Sequence, residues 1–122
     1  MKLINDFFHI EAIETKGKDI VATINMNSAH SIYHAHFPGN PITPGVCLVQ
    51  MSTELLEIGL TKHLNLQNAV KIKFKKPMAP SVRPTFTFQK ILITESQVSV
   101  QVTIEDSGTQ YAKMNLIYTI II

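Results

Sequence analysis

The sequence predicts an α+β fold in which an antiparallel sheet encloses one central helix. Apolar and polar residues alternate over several segments, which is the period of strands whose two faces differ. One segment near the middle of the chain, from Pro44 to about Thr61, carries apolar residues all around a helix. Two strands precede this segment and three or four follow it. A sheet in this order can curl around the helix and bury it.

The bulk composition is that of one small globular domain. The chain has 122 residues, of which 45% are hydrophobic and 16% charged, so it can bury a core and is too apolar for disorder. The formal net charge of +2 does not by itself indicate nucleic-acid binding. Because Cys47 is the one cysteine, an internal disulfide and a zinc site built from several cysteines are excluded. We expect residues 1–122 to form a single domain in a reducing, cytoplasmic compartment.

No targeting or membrane segment is expected. Asp6 interrupts the N-terminal residues before a long apolar run develops, which argues against a signal peptide. No window approaches the roughly 20 apolar residues that a membrane helix requires. The last residues, 120–122, are apolar but continue an alternating strand.

Two strands are predicted before the helix, from Phe8 to Glu14 and from Asp19 to Met26, with a turn at Gly17. In the second strand one face is apolar throughout. That face consists of Ile20, Ala22, Ile24 and Met26. Residues 27–43 are predicted to be a long connection.

The helix is predicted to begin at Pro44, with Thr43 as its N-cap. Its apolar residues cover most of its circumference, so surrounding structure is expected to wrap it. These residues are Val46, Leu48, Val49, Met51, Leu55, Leu56 and Ile58. Gln50, Glu54 and Glu57 form a narrow polar stripe at the spacing i, i+4, i+7. We expect Glu54 and Glu57 to lie at a solvated or interface edge of the helix.

The segments after the helix are predicted to be strands. In the first, Val70, Ile72 and Phe74 alternate with three lysines. Prolines interrupt the chain before the next strand, which carries Phe86, Phe88 and Ile91. The last two strands are an alternating segment from Val98 to Ile104 and a segment from Tyr111 to Ile121, joined by a turn at 106–108.

A proline-rich segment directly before the helix is the most informative local feature. Residues 36–46 read His-Phe-Pro-Gly-Asn-Pro-Ile-Thr-Pro-Gly-Val. Each proline fixes φ near about −65° and removes a backbone donor, so the segment has few accessible conformations. A stiff loop of this kind can hold His36 against the start of the helix.

This segment resembles the signature of the hotdog-fold 3-hydroxyacyl-[acyl-carrier-protein] dehydratases, His-Phe-Pro-Gly-x-Pro-x-x-Pro-Gly-Val followed by a helix. The run from Lys73 to Pro80 resembles the strand and turn that follow the helix in that family. The similarity in order and length extends over residues 8–119. It implies a hotdog fold and a homodimer or higher oligomer with active sites at the subunit interface. It also implies dehydration, or the reverse hydration, of 3-hydroxyacyl thioesters on acyl carrier protein, in fatty-acid or related lipid or polyene synthesis, with no cofactor.

The same resemblance implies roles for four residues. His36 corresponds to the catalytic histidine, and the backbone N–H groups of Gly45 and Val46 correspond to the site that holds the thioester carbonyl. An imidazole can transfer protons near neutral pH, and the first N–H groups of a helix are unpaired and lie at the positive end of its dipole. The family has Glu or Asp where this chain has Gln50. Because an amide exchanges no useful proton at neutral pH, Gln50 is expected to orient water or substrate, with Glu54 as the alternative acid–base group.

Two other functions remain open from the residues. The chain could be a catalytically degenerate hotdog subunit that binds acyl chains or pairs with an active homologue. It could also be an acyl thioesterase, in which Glu54 would have to activate water. One set of assays would separate the three functions. Enoyl product indicates a dehydratase, free thiol indicates a thioesterase, and acyl binding without either product indicates a degenerate subunit.

Three further groups have a structural and a functional interpretation. His30 and His34 share alternate spacing with His36, but no cysteine or nearby carboxylate completes a metal site, so we expect none. Cys47 lies in the first helical turns, where a thiolate is stabilised, yet its apolar neighbours predict an ordinary packed thiol.

A group of basic side chains is either a solvated strand face or a docking surface for an acidic acyl carrier protein whose phosphopantetheine arm enters the site. Its members are Lys62, Lys71, Lys73, Lys75, Lys76 and Arg83. Only one aromatic residue, Phe74, interleaves the lysines, which argues against nucleic acid.

Overall fold

The computed structural model describes residues 2–35 and 39–122, and six antiparallel strands in these residues form one sheet with the order β1-β2-β4-β5-β6-β3. The elements are β1 (Phe8–Lys16), β2 (Asp19–Met26), α1 (Ser31–Ala35), α2 (Gly45–Leu60), β3 (His63–Phe74), β4 (Thr85–Ile93), β5 (Gln97–Asp106) and β6 (Thr109–Ile121). The predicted fold class, an antiparallel sheet around one long helix, is confirmed. Among the described residues, neither helix has the length and apolar character that a bilayer span requires.

The core lies between α2 and the inner face of the sheet. Alternate residues of the central strands point toward the helix, as the period of two predicts. They include Ala22, Ile24, Phe86, Phe88, Val102, Ile104, Met114 and Tyr118, all fully buried. The predicted inner face of β2 is confirmed, with Met26 only partly buried. The helix contributes its own buried stripe, which includes Leu48, Met51, Leu55 and Leu56.

The start of α2 differs from the sequence prediction by one residue. The helix begins at Gly45, and Pro44 occupies the cap position in an extended conformation without a side-chain cap. Thr43 is therefore one residue too early to be the N-cap, and that prediction is wrong. Its hydroxyl instead lies 2.8 Å from the Tyr33 hydroxyl, and its N–H donates to the Met78 carbonyl at 2.7 Å.

Burial around α2 also differs from the prediction. The sheet leaves two of the apolar helix residues uncovered, because Val46 is 73% exposed and Ile58 is 44% exposed. Glu54, which was expected at a solvated or interface edge, is only 4% exposed. The residues that precede β1 cover it, because the backbone N–H groups of Leu3 and Ile4 donate to its carboxylate.

The edge strand β3 does not follow simple alternation. Its pairing with β6 shifts register between Leu66 and Asn68 and again between Ala69 and Lys71, which takes Val70 out of the inner face. Val70 and Phe74 are 57% and 52% exposed, so of the three apolar residues that alternate with lysines only Ile72 packs against the core. The helix α1 lies inside the predicted connection, and at five residues it is too short to produce a periodic signal.

Candidate active site

The first turn of α2 holds the two predicted carbonyl-binding residues. The N–H groups of Cys47 and Leu48 both donate to the Pro44 carbonyl, at 3.0 and 3.3 Å. Gly45 and Val46 precede this first intrahelical bond, so the helix itself supplies no acceptor for their N–H groups. These donors lie at the positive end of the helix dipole, where they can stabilise a negative oxygen.

A cavity of about 290 Å³ lies beside this turn. Its lining is mostly apolar and comes from the loop before α2, the first turns of α2 and the segment after β3: Ile42, Thr43, Pro44, Gly45, Leu48, Phe74, Lys75, Lys76, Pro77 and Met78. A Cβ on Gly45 would lie 2.6 Å from the Phe74 ring. Glycine at position 45 therefore allows the ring to approach the helix backbone at the cavity wall.

The end of the proline-rich loop is fixed by contacts on two sides. Thr43 is bonded to Met78, which is 1% exposed, and to Tyr33 of α1. The Tyr33 ring stacks on Phe7 with centroids 5.2 Å apart, and burial raises the pKa of its hydroxyl. The first helix ends at Ala35, the residue before His36. His36 itself lies outside the described residues, so its catalytic role stays a prediction.

Gln50 lies one helical turn beyond Val46 and contacts Glu54. The Gln50 Nε2 donates to Glu54 Oε2 at 2.8 Å. The Glu54 Oε1 accepts from the N–H groups of Leu3 and Ile4 at 2.9 and 2.8 Å, and Oε2 lies 2.9 Å from the Leu3 nitrogen. A buried carboxylate is stable when N–H donors surround it in this way. The carboxylate thus ties the start of the chain to α2.

The second cavity lies along the later turns of α2 and measures about 280 Å³. Its lining includes Lys2, Glu54, Glu57, Lys62 and His63. Glu57 Oε2 accepts the N–H of Leu64 at 2.9 Å, so this carboxylate also holds backbone in place. The carboxylates of Glu54 and Glu57 therefore both accept hydrogen bonds from backbone N–H groups, and neither residue is merely a solvated residue at the edge of the helix.

The remaining titratable candidates have structural partners. The Nε2 of His30 lies 3.1 Å from Asp6 Oδ2, and its Nδ1 accepts the N–H of Ile32 at 3.1 Å. Both ring nitrogens are used, so His30 offers none to a metal, and His34 is exposed. Within residues 2–35 and 39–122, no three His, Cys, Asp or Glu side chains cluster as metal ligands do. Cys47 is buried, and this burial raises the pKa of its thiol, as expected for a packed cysteine.

The predicted basic cluster is divided among separate parts of the surface. Lys71 and Lys73 lie on the outer sheet face beside Lys113, around a depression of about 130 Å³. Sequence reasoning missed Lys113, since only the β3–β6 register places it opposite Lys73. Lys62 lines the second cavity and Arg83 pairs with Glu11. Of the predicted set, Lys75 and Lys76 are the ones that line the cavity beside Gly45.

Comparisons with known proteins agree with this architecture. The family model of ApeI-like proteins, described as ApeI dehydratase, matches residues 12–115. A 3-hydroxyacyl-[acyl-carrier-protein] dehydratase FabZ from Lactobacillus helveticus is 26% identical over 110 residues, which is 83% of this chain and 74% of that protein. The FabZ of Pediococcus pentosaceus is 33% identical over 66 residues, 47% of this chain and 44% of that protein. The match thus spans under half the length of that relative.

Solved structures show the same fold at low identity. The dehydratase heterocomplex ApeI:P from Xenorhabdus doucetiae aligns with a TM-score of 0.71 and 13% identity, over 90% of this chain and 96% of that chain. A hypothetical thioesterase with coenzyme A from Streptococcus pneumoniae aligns with a TM-score of 0.68 and 16% identity, over 93% and 85%. Together with the family match over most of the chain, the antiparallel sheet and its central helix establish that this protein has a hotdog fold and belongs to the ApeI-like dehydratase family.

Proposed function

We propose that the protein dehydrates 3-hydroxyacyl thioesters carried by acyl carrier protein, or hydrates the enoyl product, in fatty-acid or related lipid or polyene synthesis. The observation that supports this proposal most is the first turn of α2, where two N–H groups outside the intrahelical ladder adjoin an apolar cavity. A thioester carbonyl is the kind of group such donors stabilise, and an acyl chain suits an apolar wall.

The proposed reaction moves one proton through His36. The imidazole removes a proton from C2 of the substrate, and the N–H groups of Gly45 and Val46 stabilise the negative charge on the thioester oxygen. The C3–O bond then breaks. Gln50 cannot supply a proton, so the leaving hydroxyl takes the proton back from the His36 imidazolium and departs as water. The double bond forms between C2 and C3, and His36 returns to its neutral form.

The pH dependence of this scheme differs from that of a histidine–carboxyl pair. His36 must be neutral to take the first proton, so kcat/KM should fall as the pH drops through the ordinary histidine range, about 6.5. Because no carboxylic acid takes part, kcat/KM should not fall again at alkaline pH. A bell-shaped profile in the wild-type protein would contradict the one-histidine scheme.

The acyl carrier protein is proposed to dock beside Lys75 and Lys76, so that its phosphopantetheine arm enters the neighbouring cavity. A second copy of the chain is proposed to cover exposed apolar residues such as Val46 and Val70, giving a homodimer or higher oligomer. In this proposal residues 1–122 act as one cytoplasmic hotdog domain.

Turnover of a 3-hydroxyacyl carrier-protein thioester tests the proposal. Enoyl product is detected by mass spectrometry, and free thiol by a thiol reagent. We expect enoyl product that His36→Ala lowers by about 10²-fold or more. Free thiol without enoyl product would instead identify a thioesterase, and acyl binding without either product would identify a degenerate subunit.

The docking proposal has a matched control. Lys76→Glu places a negative charge beside the cavity and should raise KM for the carrier-protein substrate about tenfold at low salt, with kcat little changed. Lys62→Glu makes the same charge change at the second cavity and should leave KM within about twofold. Equal effects of both variants would refute docking at Lys75 and Lys76.

A further inference from the structure

We infer that a basic depression on the outer face of the sheet is a binding site for a phosphate group. The depression measures about 130 Å³ and is lined by Lys71, Lys73, Gln101, Lys113 and Asn115. None of these side chains takes part in the proposed reaction, and none lines the cavity beside the first turn of α2. Phosphate binding here therefore does not depend on the proposed function.

The register of β3, β5 and β6 brings the five side chains together. Lys73 pairs with Lys113 across the β3–β6 ladder, and Lys71, two residues earlier in β3, pairs with Asn115. Asn115 in turn pairs with Gln101 of β5. Residues two apart in a strand lie on the same face of the sheet, and the Cβ atoms of directly opposed residues are about 5 Å apart. The three ammonium groups can therefore converge on one point above the sheet.

These three positive charges have no carboxylate partner within residues 2–35 and 39–122. The ion pairs in that part of the chain join other residues, namely Lys16–Glu14, His30–Asp6 and Arg83–Glu11. Glu105 is the acidic residue of β5 closest in register to Lys113, and it pairs with Thr85 and Gln110. Like charges that lie directly opposite each other in a sheet are unfavourable. An anion between Lys73 and Lys113 would remove this cost.

The lining residues favour a phosphate group among anions. Gln101 and Asn115 are partly buried and the three lysines are exposed, so the amides form the floor of the depression and the ammonium groups its rim. Lysine offers three N–H donors on a compact charge and commonly binds phosphate, and side-chain amides add further donors.

Charge and size also match a phosphate monoester. Such a group carries a charge of about −1.5 to −2 at pH 7 and three acceptor oxygens, so it suits three lysines better than a monoanion does. The depression is smaller than the roughly 300 Å³ at which pockets for drug-sized ligands begin. It therefore holds the phosphate group and leaves the rest of an organic ligand outside.

Backbone amide NMR tests the site with inorganic phosphate as the probe, at an ionic strength kept constant with sodium chloride. We expect saturable shifts of amides in β3, β5 and β6 around the depression. Lys73→Gln and Lys113→Gln should each weaken phosphate binding about fivefold or more, because each removes one charge-assisted hydrogen bond. Lys62→Gln is the matched control, since it removes a lysine that lines a different cavity. It should change the affinity by less than about twofold.

Two further probes distinguish the source of the phosphate. Ethyl phosphate is a dianionic monoester, as a phosphorylated organic molecule would present, whereas diethyl phosphate is a monoanion. We expect diethyl phosphate to bind about tenfold or more weakly than ethyl phosphate. Tighter binding of ethyl phosphate than of inorganic phosphate would assign the site to a phosphorylated organic molecule, and the reverse order would assign it to free phosphate.

Three results would overturn phosphate binding at this depression. Shifts that do not saturate, or that chloride alone reproduces, would indicate general screening of charge. An unchanged affinity in both Lys73→Gln and Lys113→Gln would place the anion elsewhere on the protein. Binding of hexaglutamate at these lysines, without binding of phosphate, would identify a surface for an acidic protein instead. Because none of these measurements involves turnover, the proposed function stands or fails separately.

Discussion

Two glycines in α2 offer a test of how packing, rather than contact distance, sets the effect of an added side chain. A methyl group on Gly45 would lie 2.6 Å from Cζ of Phe74, and one on Gly59 would lie 2.9 Å from Cδ1 of Ile20. Neither glycine has a positive φ, so alanine suits the backbone at both positions. By distance alone, Gly45→Ala would be the more damaging change. We expect the opposite order.

The neighbour's freedom to move decides the outcome. Ile20 is 4% exposed and belongs to the core, so it cannot yield, and overpacking costs about 1–3 kcal/mol. The gain from replacing glycine by alanine is about 0.4–1 kcal/mol. Gly59→Ala should therefore lower the free energy of unfolding by about 1 kcal/mol. Phe74 is 52% exposed and meets the new methyl with the far end of its ring, which can swing into solvent. Gly45→Ala should change stability by about 0.5 kcal/mol or less.

Urea unfolding at one fixed protein concentration measures both variants. The slope with urea should match wild type, so that midpoints report stability. Ile20→Val removes the Cδ1 atom that opposes the methyl on Gly59, so Gly59→Ala should cost about half as much in the Ile20→Val background as in wild type. The reasoning is refuted if Gly45→Ala is as destabilising as Gly59→Ala, or if Gly59→Ala costs the same in both backgrounds.

Three further predictions follow from single side chains. Burial raises the pKa of Tyr118 to about 12. The buried neutral hydroxyl therefore contributes fully to folding stability below pH 10, and this contribution is lost between about pH 10 and 12. The shift corresponds to about 2–3 kcal/mol, and Tyr118→Phe should flatten the alkaline unfolding curve; an unchanged curve would contradict this. Cys47 should react with a thiol reagent at pH 8 at least about tenfold more slowly in native protein than in urea, because burial raises its pKa; equal rates would contradict the packed thiol. Lys113 lies directly opposite Lys73, so Lys113→Glu should stabilise the protein by about 0.5–2 kcal/mol at low salt and less at high salt. No gain in stability would contradict repulsion between the two lysines.

Much of the fold was predictable because its signals are local. Alternation of apolar residues gave the inner face of β2, and the apolar run after Pro44 gave α2 to within one residue at its start. The proline-rich segment indicated the family that the match over residues 12–115 supports. These features depend on backbone periodicity and on the fixed φ of proline, which the residue types specify directly.

The site required more than local signals. Thr43 looked like an N-cap but bonds to Tyr33, which is 10 residues away in the chain. Glu54 looked like an edge residue, yet its partners Leu3 and Ile4 are 51 and 50 residues away. Such pairings depend on which segments the folded chain brings together, and no spacing rule in a single sequence encodes them.

The sequence by itself determined the order of the strands and the central helix, the apolar face of β2 and the composition of the loop before that helix. Only the tertiary structure decided that Glu54 is a buried acceptor for backbone N–H groups and for the amide of Gln50. The physical reason is that local propensity and hydrophobic period act within a few residues, whereas the satisfaction of a buried charge depends on donors that distant segments supply.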